Sequence, residues 1–146
     1  MEPQISVNYL AIGGCVVANF ILGWIWYGPL FGKPWAKEMG FPVDFKPAPG
    51  QLIKSMIFSI IGAFLISYCL THSQQVWRPS VWGVGPDGPN FGYGFMSGFF
   101  TWLGFFVPLL LNSLAWEGKS WKLFGINAAY HFISLQMLAM ILAHWR

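Results

Sequence analysis

The stretch FMSGFFTWLGFFVPLLLNSLAW, residues 95–116, is a direct indication of the fold class. It contains no Lys, Arg, Asp or Glu, and most of its residues are apolar. A helix needs about 20 mostly apolar residues to cross the hydrocarbon of a bilayer, which is about 30 Å thick, because each residue rises about 1.5 Å. The stretch therefore predicts a transmembrane helix.

Three more stretches meet the same criterion, and the sequence as a whole agrees with them. They cover residues 9–30, 55–71 and 123–143, and none carries a charged side chain. The chain is 55% hydrophobic and 9% charged, whereas soluble domains carry roughly 25% charged residues. The sequence thus predicts an all-α integral membrane protein, one domain over residues 1–146 that forms a four-transmembrane-helix bundle.

The charge and the N-terminus set further limits. The net charge of +3 lies almost wholly in loops, so we expect the lipid bilayer as a partner and no nucleic acid. Met1–Ser6 contains Glu2 and no basic residue, which is atypical of a cleaved signal peptide. We therefore expect the first helix to be kept.

The distribution of cations predicts the orientation, because Lys and Arg are retained on the cytoplasmic side. One side, formed by residues 31–54 and 117–122, carries six lysines, and the other side carries only Arg78 and Arg146. We therefore expect a multi-pass protein of the inner (plasma) membrane with both termini outside the cytoplasm. The six lysines are Lys33, Lys37, Lys46, Lys54, Lys119 and Lys122.

A short internal similarity has two interpretations. The sequence GKPWAK at residues 32–37 follows the first helix, and GKSWK at residues 118–122 follows the third. Two parallel helical hairpins related by an axis along the membrane normal would produce this pattern. Interfacial chemistry would produce it as well, since Gly, Lys and Trp are all favoured where a helix leaves lipid. Both interpretations stay open.

Small and polar residues in membrane helices mark the faces where helices pack, because lipid is as apolar as leucine. In the third helix they follow steps of three and four, and Pro108 predicts a kink that frees the carbonyl of Gly104. The stripe comprises Gly94, Ser97, Thr101, Gly104, Pro108 and Asn112.

His131 is the most informative residue, because an ionisable group in the middle of a membrane helix marks a functional site by default. It can serve as a proton relay, as a metal or tetrapyrrole ligand, or as a donor to a bound amphiphile. The structural alternative is a neutral histidine bonded to Asn127, Asn112 or a backbone carbonyl. The candidate ligand-binding residues are His131, Asn127, Asn112 and Asn19, which we expect to face one cavity.

Aromatic and charged residues near the predicted cytoplasmic boundary are typical of interfacial anchors. No metal-ligand spacing occurs, so no metal site is predicted, and the sequence assigns no cofactor. The predicted interfacial residues are Trp26, Tyr27, Lys33, Trp35, Glu117, Lys119 and Trp121.

Three functions compete on this evidence. The first is an accessory subunit that docks to a larger membrane complex or to copies of itself, favoured by the small size. The second is a binder or carrier of a small amphiphile or ion. The third is an intramembrane enzyme, which is disfavoured because no hydrolase nucleophile with a base, no P-loop, no dinucleotide fingerprint and no HExxH occurs.

Four segments also resemble a known family: NYLA at residues 8–11, LGWIWYGPLFGKPW at 22–35, EGKSWKL at 117–123 and INAAYH at 126–131. The chain resembles the uncharacterised bacterial membrane proteins grouped as domain of unknown function 1761. The resemblance spans nearly the whole chain. It implies a four-helix inner-membrane protein with no established activity, so it supports the architecture and leaves the function open.

Overall fold

The computed structural model describes residues 2–146, most of which are helical and none of which forms a β-strand. Four helices are long and apolar enough to cross a membrane, so the chain is a multi-pass membrane protein of the predicted fold class. In chain order the helices are α1 (Tyr9–Leu30), α2 (Gly32–Glu38), α3 (Pro49–Gln75), α4 (Asn90–Trp116) and α5 (Trp121–His144), and a 3-10 helix (Pro79–Trp82) lies between α3 and α4.

Three of the four membrane helices are longer than the sequence predicted. Helix α3 replaces the predicted 55–71, α4 begins at Asn90 instead of residue 95, and α5 exceeds 123–143 by two residues at its start and one at its end. The added turns are polar or begin at a proline, as at Pro49, where the missing N–H costs no helical hydrogen bond. Apolarity measures the hydrocarbon-spanning part of a helix, and the helical hydrogen bonds continue beyond it.

Different segments of the chain meet at the two ends of the bundle. At one end, here called the termini end, the N-terminal segment joins loop 76–89 through the Gln4 N–H, which donates to the Val81 carbonyl at 2.9 Å. The C-terminal Arg146 lies 3.1 Å from Asp87 of that loop. The opposite end, here called the lysine end, contains α2 and the turn between α4 and α5, where Ser120 Oγ donates to Glu38 Oε2 at 2.6 Å.

Helix α5 lies in the centre of the bundle and packs against α1, α3 and α4. The hydrophobic core lies near the termini end and is formed by Ala11, Ile12, Cys15, Leu70, Leu135, Leu138, Ala139 and Leu142.

Helices α4 and α5 approach closely through two glycines. A Cβ added at Gly94 would lie 2.8 Å from Met140 Sδ, and one at Gly98 would lie 3.1 Å from the Leu135 carbonyl oxygen. Gln136 of α5 donates from Nε2 to the Phe95 carbonyl of α4 at 3.3 Å. Small residues thus set the distance between these helices, as is usual in membranes.

The buried face of α4 differs from the predicted stripe. Gly104, Pro108 and Asn112 are exposed. The face that meets α5 advances in steps of four, and each such step overshoots a regular helical turn by about 40°. A π-helical turn, Trp102–Phe106, accommodates this drift, and there the Val107 N–H donates to the Trp102 carbonyl five residues back. The irregularity therefore lies before the proline. The face comprises Gly94, Gly98, Trp102, Phe106 and Leu110.

A second π-helical turn, Trp26–Leu30, ends α1. Both π-turns begin at a tryptophan, and both indoles bond to α5. Trp26 Nε1 donates to the Ile126 carbonyl at 3.2 Å, and Trp102 Nε1 donates to the Ala128 carbonyl at 2.9 Å. The two indoles fix α1 and α4 to neighbouring positions on the central helix.

The first half of α3 is separate from the rest of the bundle. Every residue from 49 to 61 is exposed, and the first buried residue of the helix is Ala63. Toward the termini end, α3 packs into the core through Ser67 and Leu70. Helices α1 and α3 therefore diverge toward the lysine end, and a groove opens between them.

Candidate functional site

The groove between α1 and α3 is a polar site inside the membrane-spanning region. It has a volume of about 460 Å³, and its floor is the central helix α5. Its apolar walls come from α1 and α3, and no Lys, Arg, Asp or Glu lines it. The polar residues of this α1–α3 groove are Asn19, Tyr27, Ser59, Tyr130, His131 and Ser134.

Asn19 of α1 holds two side chains of α5. Its Oδ1 accepts from Ser134 Oγ at 2.5 Å and from the Tyr130 hydroxyl at 3.4 Å. The Tyr130 hydroxyl fits because Gly23 leaves room for it: a Cβ there would lie 3.2 Å from that oxygen. The Asn19 amide nitrogen donates to no group among residues 2–146. Two N–H donors are therefore available to a ligand.

His131 lies on the groove wall between aromatic rings. Its imidazole centroid is 4.8 Å from that of Phe106 and 5.1 Å from that of Tyr130. Within the part of the chain that the structure describes, neither ring nitrogen makes a hydrogen bond. The predicted structural role needed a bond to Asn127, Asn112 or a carbonyl, and no such bond occurs. A neutral imidazole offers one donor and one acceptor. Within the described residues both are unused in His131, whose side chain is half-buried.

Asn127 contributes to the groove indirectly. Its Oδ1 accepts a hydrogen bond of 2.8 Å from the hydroxyl of Tyr27, which lines the groove. Asn127 itself lines a separate cavity of about 200 Å³ at the lysine end, together with Glu117 and Lys119. The Tyr27–Asn127 pair thus stands between the groove that contains His131 and the cavity that contains Glu117.

Asn112 lies apart from the other three candidate ligand residues. It is exposed on α4 and lines neither the groove nor the cavity. Its expected place in a shared cavity is therefore wrong. The cause is the π-turn, which changes the face that later α4 residues present.

The predicted interfacial residues occupy different environments. Trp26 is buried and bonds to α5, so it packs helices together and does not anchor them at the interface. Trp35 packs edge-on against Tyr27, with centroids 5.5 Å apart. Lys119 is half-buried, and the exposed residues are Lys33, Glu117 and Trp121.

Tyr130 is a groove residue that the sequence analysis did not single out. It lies next to His131 in the sequence, and its ring contacts those of Trp26 and Tyr27 at centroid distances of 6.3 and 4.9 Å. A signal was present, because a tyrosine in mid-helix needs a partner for its hydroxyl.

A buried arginine connects several segments at the termini end. Arg78 is 0% exposed. Its guanidinium donates to Asn90 Oδ1 at 2.9 Å, to Asp87 Oδ2 at 3.3 Å and to the Ala143 carbonyl at 3.3 Å, and lies 4.2 Å from the Tyr93 ring centroid. It thereby ties loop 76–89 to the start of α4 and the end of α5.

The charges of this cluster perturb one another. Burial lowers the pKa of Arg78 below its usual value, and Arg146 lowers it further, while Asp87 opposes both. For Asp87, burial raises the pKa, but hydrogen bonds from Ser80, Arg78 and Arg146 outweigh it and lower the pKa to about 2. The carboxylate therefore stays ionised at neutral pH between two cations.

Metal ligands do not cluster anywhere in residues 2–146, where no three His, Cys, Asp or Glu side chains come together in a way that could hold an ion. The polar groups of the α1–α3 groove are amides, hydroxyls and an imidazole. Such groups can bind a hydrogen-bonding head group, but they supply no charge to neutralise a bare cation.

A family model described as "Protein of unknown function (DUF1761)" matches residues 10–143, nearly the whole chain. This match confirms the resemblance drawn from the four sequence segments. No curated protein and no solved structure matches the chain.

Proposed function

We propose that the chain, which belongs to the DUF1761 family, binds a small amphiphile in the α1–α3 groove. The head group lies between Asn19 and His131, and the apolar chain extends along the exposed half of α3. The observation that carries this proposal is the His131 imidazole, which lies on the wall of the groove without a hydrogen bond to any described residue.

The unpaired groups define the chemistry of the head group. Asn19 offers N–H donors, and a neutral His131 offers one donor and one acceptor, so a carbonyl or hydroxyl fits both. Because no ionised residue lines the groove, an amphiphile is favoured over an ion. The groove volume of about 460 Å³ lies within the range of small-molecule sites, roughly 300–1,000 Å³.

The binding test compares two histidine variants. The detergent-solubilised protein is incubated with a lipid extract of its host membrane, and native mass spectrometry detects what remains bound. His131→Leu should lose the bound mass, while His144→Leu, a control at the exposed end of α5, should retain it. Equal retention by a folded His131→Leu variant would contradict the proposal.

The second candidate function is self-association, as an accessory membrane subunit would require. The specific observation is that every residue from 49 to 61 of α3 is exposed. We take a second copy of the chain as the partner, because two-fold homodimers are the commonest oligomers. Small side chains at Ser55 and Ser59 would allow two such helices to approach closely.

Oligomeric state in mild detergent tests this second function. Ser55→Trp should convert dimers to monomers, while Leu109→Trp, at an exposed position of α4, should leave them unchanged. A monomeric wild-type protein in lipid nanodiscs as well as in detergent would exclude self-association.

We also propose that the lysine end faces the cytoplasm of the inner membrane, which the lysine distribution supports. In a variant without native cysteines, Lys119→Cys should react with an impermeant maleimide only after the cytoplasmic side is opened. Ser80→Cys, in loop 76–89 at the termini end, should react in intact cells.

A further inference from the structure

A second groove lies between α3 and α4 near the termini end. Its volume is about 660 Å³, larger than that of the α1–α3 groove. It follows α4 from Gly92 to Phe105, which is about 20 Å at 1.5 Å per residue. That length fits an extended single chain of an amphiphile.

The walls of this α3–α4 groove are aromatic. Trp77, Tyr93, Phe100 and Phe105 line it, together with Met96. Gly92 leaves the groove open, because a Cβ added there would meet no atom within 4 Å. Aromatic rings and a thioether form a surface for an apolar chain.

Polar groups with unused hydrogen-bonding capacity accompany these rings. The Tyr93 hydroxyl accepts from the Gly88 N–H at 3.2 Å but donates to no described residue. Gln74 is buried, and its amide nitrogen donates to Ser97 Oγ at 2.8 Å and to the Ala139 carbonyl at 2.7 Å. Its Oε1, like the hydroxyls of Ser73 and Thr101, has no hydrogen bond within residues 2–146.

Charge selects the head group. No Lys, Arg, Asp or Glu lines the groove. The guanidinium of Arg78, which lies 4.2 Å from the centroid of the Tyr93 ring, is fully buried and is already bonded to Asp87, Asn90 and the Ala143 carbonyl. A phosphate or carboxylate would therefore lose its hydration without gaining a cation, whereas a hydroxylated neutral head would meet donors and acceptors.

We infer that the α3–α4 groove is a second ligand site, which takes a neutral amphiphile with a hydroxylated head and one apolar chain, of the monoacylglycerol type. The site shares no residue with the α1–α3 groove. Its failure and that of the proposed function are thus distinguishable.

The probe is a monoacylglycerol with a diazirine in its acyl chain, added to the full-length protein in phosphatidylcholine nanodiscs. Photolabel should map to residues 92–105 and to the neighbourhood of Trp77, and excess monooleoylglycerol should remove it. Gly92→Leu should reduce the labelling at least fivefold. Gly125→Leu, at an exposed glycine of α5 with equally free space, should not.

A second variant decides the matter if Gly92→Leu fails to fold. Thr101→Val keeps the shape of the side chain and removes one hydroxyl, so it should weaken binding about fivefold, as expected for about 1 kcal/mol. His131→Leu should leave the labelling unchanged. Equal labelling of Gly92→Leu, or equally strong labelling of the same residues by a phosphatidylcholine diazirine probe, would overturn the inference.

Discussion

The hydroxyl of Tyr27 donates a 2.8 Å hydrogen bond to Oδ1 of Asn127, and the two residues line different cavities. Tyr27 belongs to the π-turn that ends α1, and Asn127 lies in the second turn of α5. This bond therefore joins the two helices at the point where the α1–α3 groove approaches the lysine end. Its strength bears on both the stability of the bundle and the separation of the cavities.

A double-mutant cycle should detect this bond. Tyr27→Phe and Asn127→Ala should each lower the free energy of unfolding by about 1–3 kcal/mol, because each leaves the other partner without its hydrogen bond. The double variant should lose less than the sum, with a coupling of about 0.5–1.5 kcal/mol. Unfolding in mixed micelles of sodium dodecyl sulfate measures all four proteins. Strict additivity would show that the bond contributes nothing.

The same pair shows how much the sequence could predict. The length of the uncharged apolar stretches predicted four membrane helices, and the structure has four helices long and apolar enough to span a membrane. The Tyr27–Asn127 bond was not predictable, because it depends on how α1 ends. Within this π-turn, Trp26 bonds to the Ile126 carbonyl of α5, a distant contact that no local pattern reveals.

Asn112 and Arg78 show the same limit in opposite directions. A regular helix would have turned Asn112 inward, but the π-turn in α4 places it outside. Arg78 was counted from its loop position as a cation of the non-cytoplasmic side, whereas in the structure it is buried and bonds to Asp87, Asn90 and the Ala143 carbonyl. In both cases distant parts of the chain decide the environment, and periodicity in sequence describes only neighbouring turns.

Close packing of α4 on α5 predicts a position-specific effect of glycine substitution. Gly98→Val should destabilise the protein by about 1–3 kcal/mol, because its Cβ would lie 3.1 Å from the Leu135 carbonyl oxygen and backbone cannot move aside cheaply. Gly92→Val, on the same helix with open space around it, is the matched control and should change stability little. Thermal unfolding in one detergent compares the two. Similar losses in both variants would argue against the packing explanation.

The two arginines of the termini end should differ widely in their contribution. Arg78→Met removes a buried cation and its hydrogen bonds to Asp87, Asn90 and the Ala143 carbonyl, which should cost about 3–5 kcal/mol. Arg146→Met removes a side chain that is 41% exposed, so about 0–1 kcal/mol is expected. The midpoint of thermal unfolding measures both. If Arg146→Met were the more damaging, loop 76–89 would not be held as described.

Asp87 should make stability depend on acid. Its pKa is lowered to about 2 in the folded protein from an ordinary value of 3.8, so the folded state favours the ionised carboxylate. The resulting stabilisation is fully present above about pH 4 and is lost as the pH falls through about 2, below which the carboxyl is protonated in both states. The difference in unfolding midpoint between wild type and Asp87→Asn should accordingly shrink between pH 4 and pH 2 in a non-ionic detergent. Other carboxyls titrate equally in both proteins and cancel in the difference, so a constant difference over this range would show that the ion pairs of Asp87 do not stabilise the termini end.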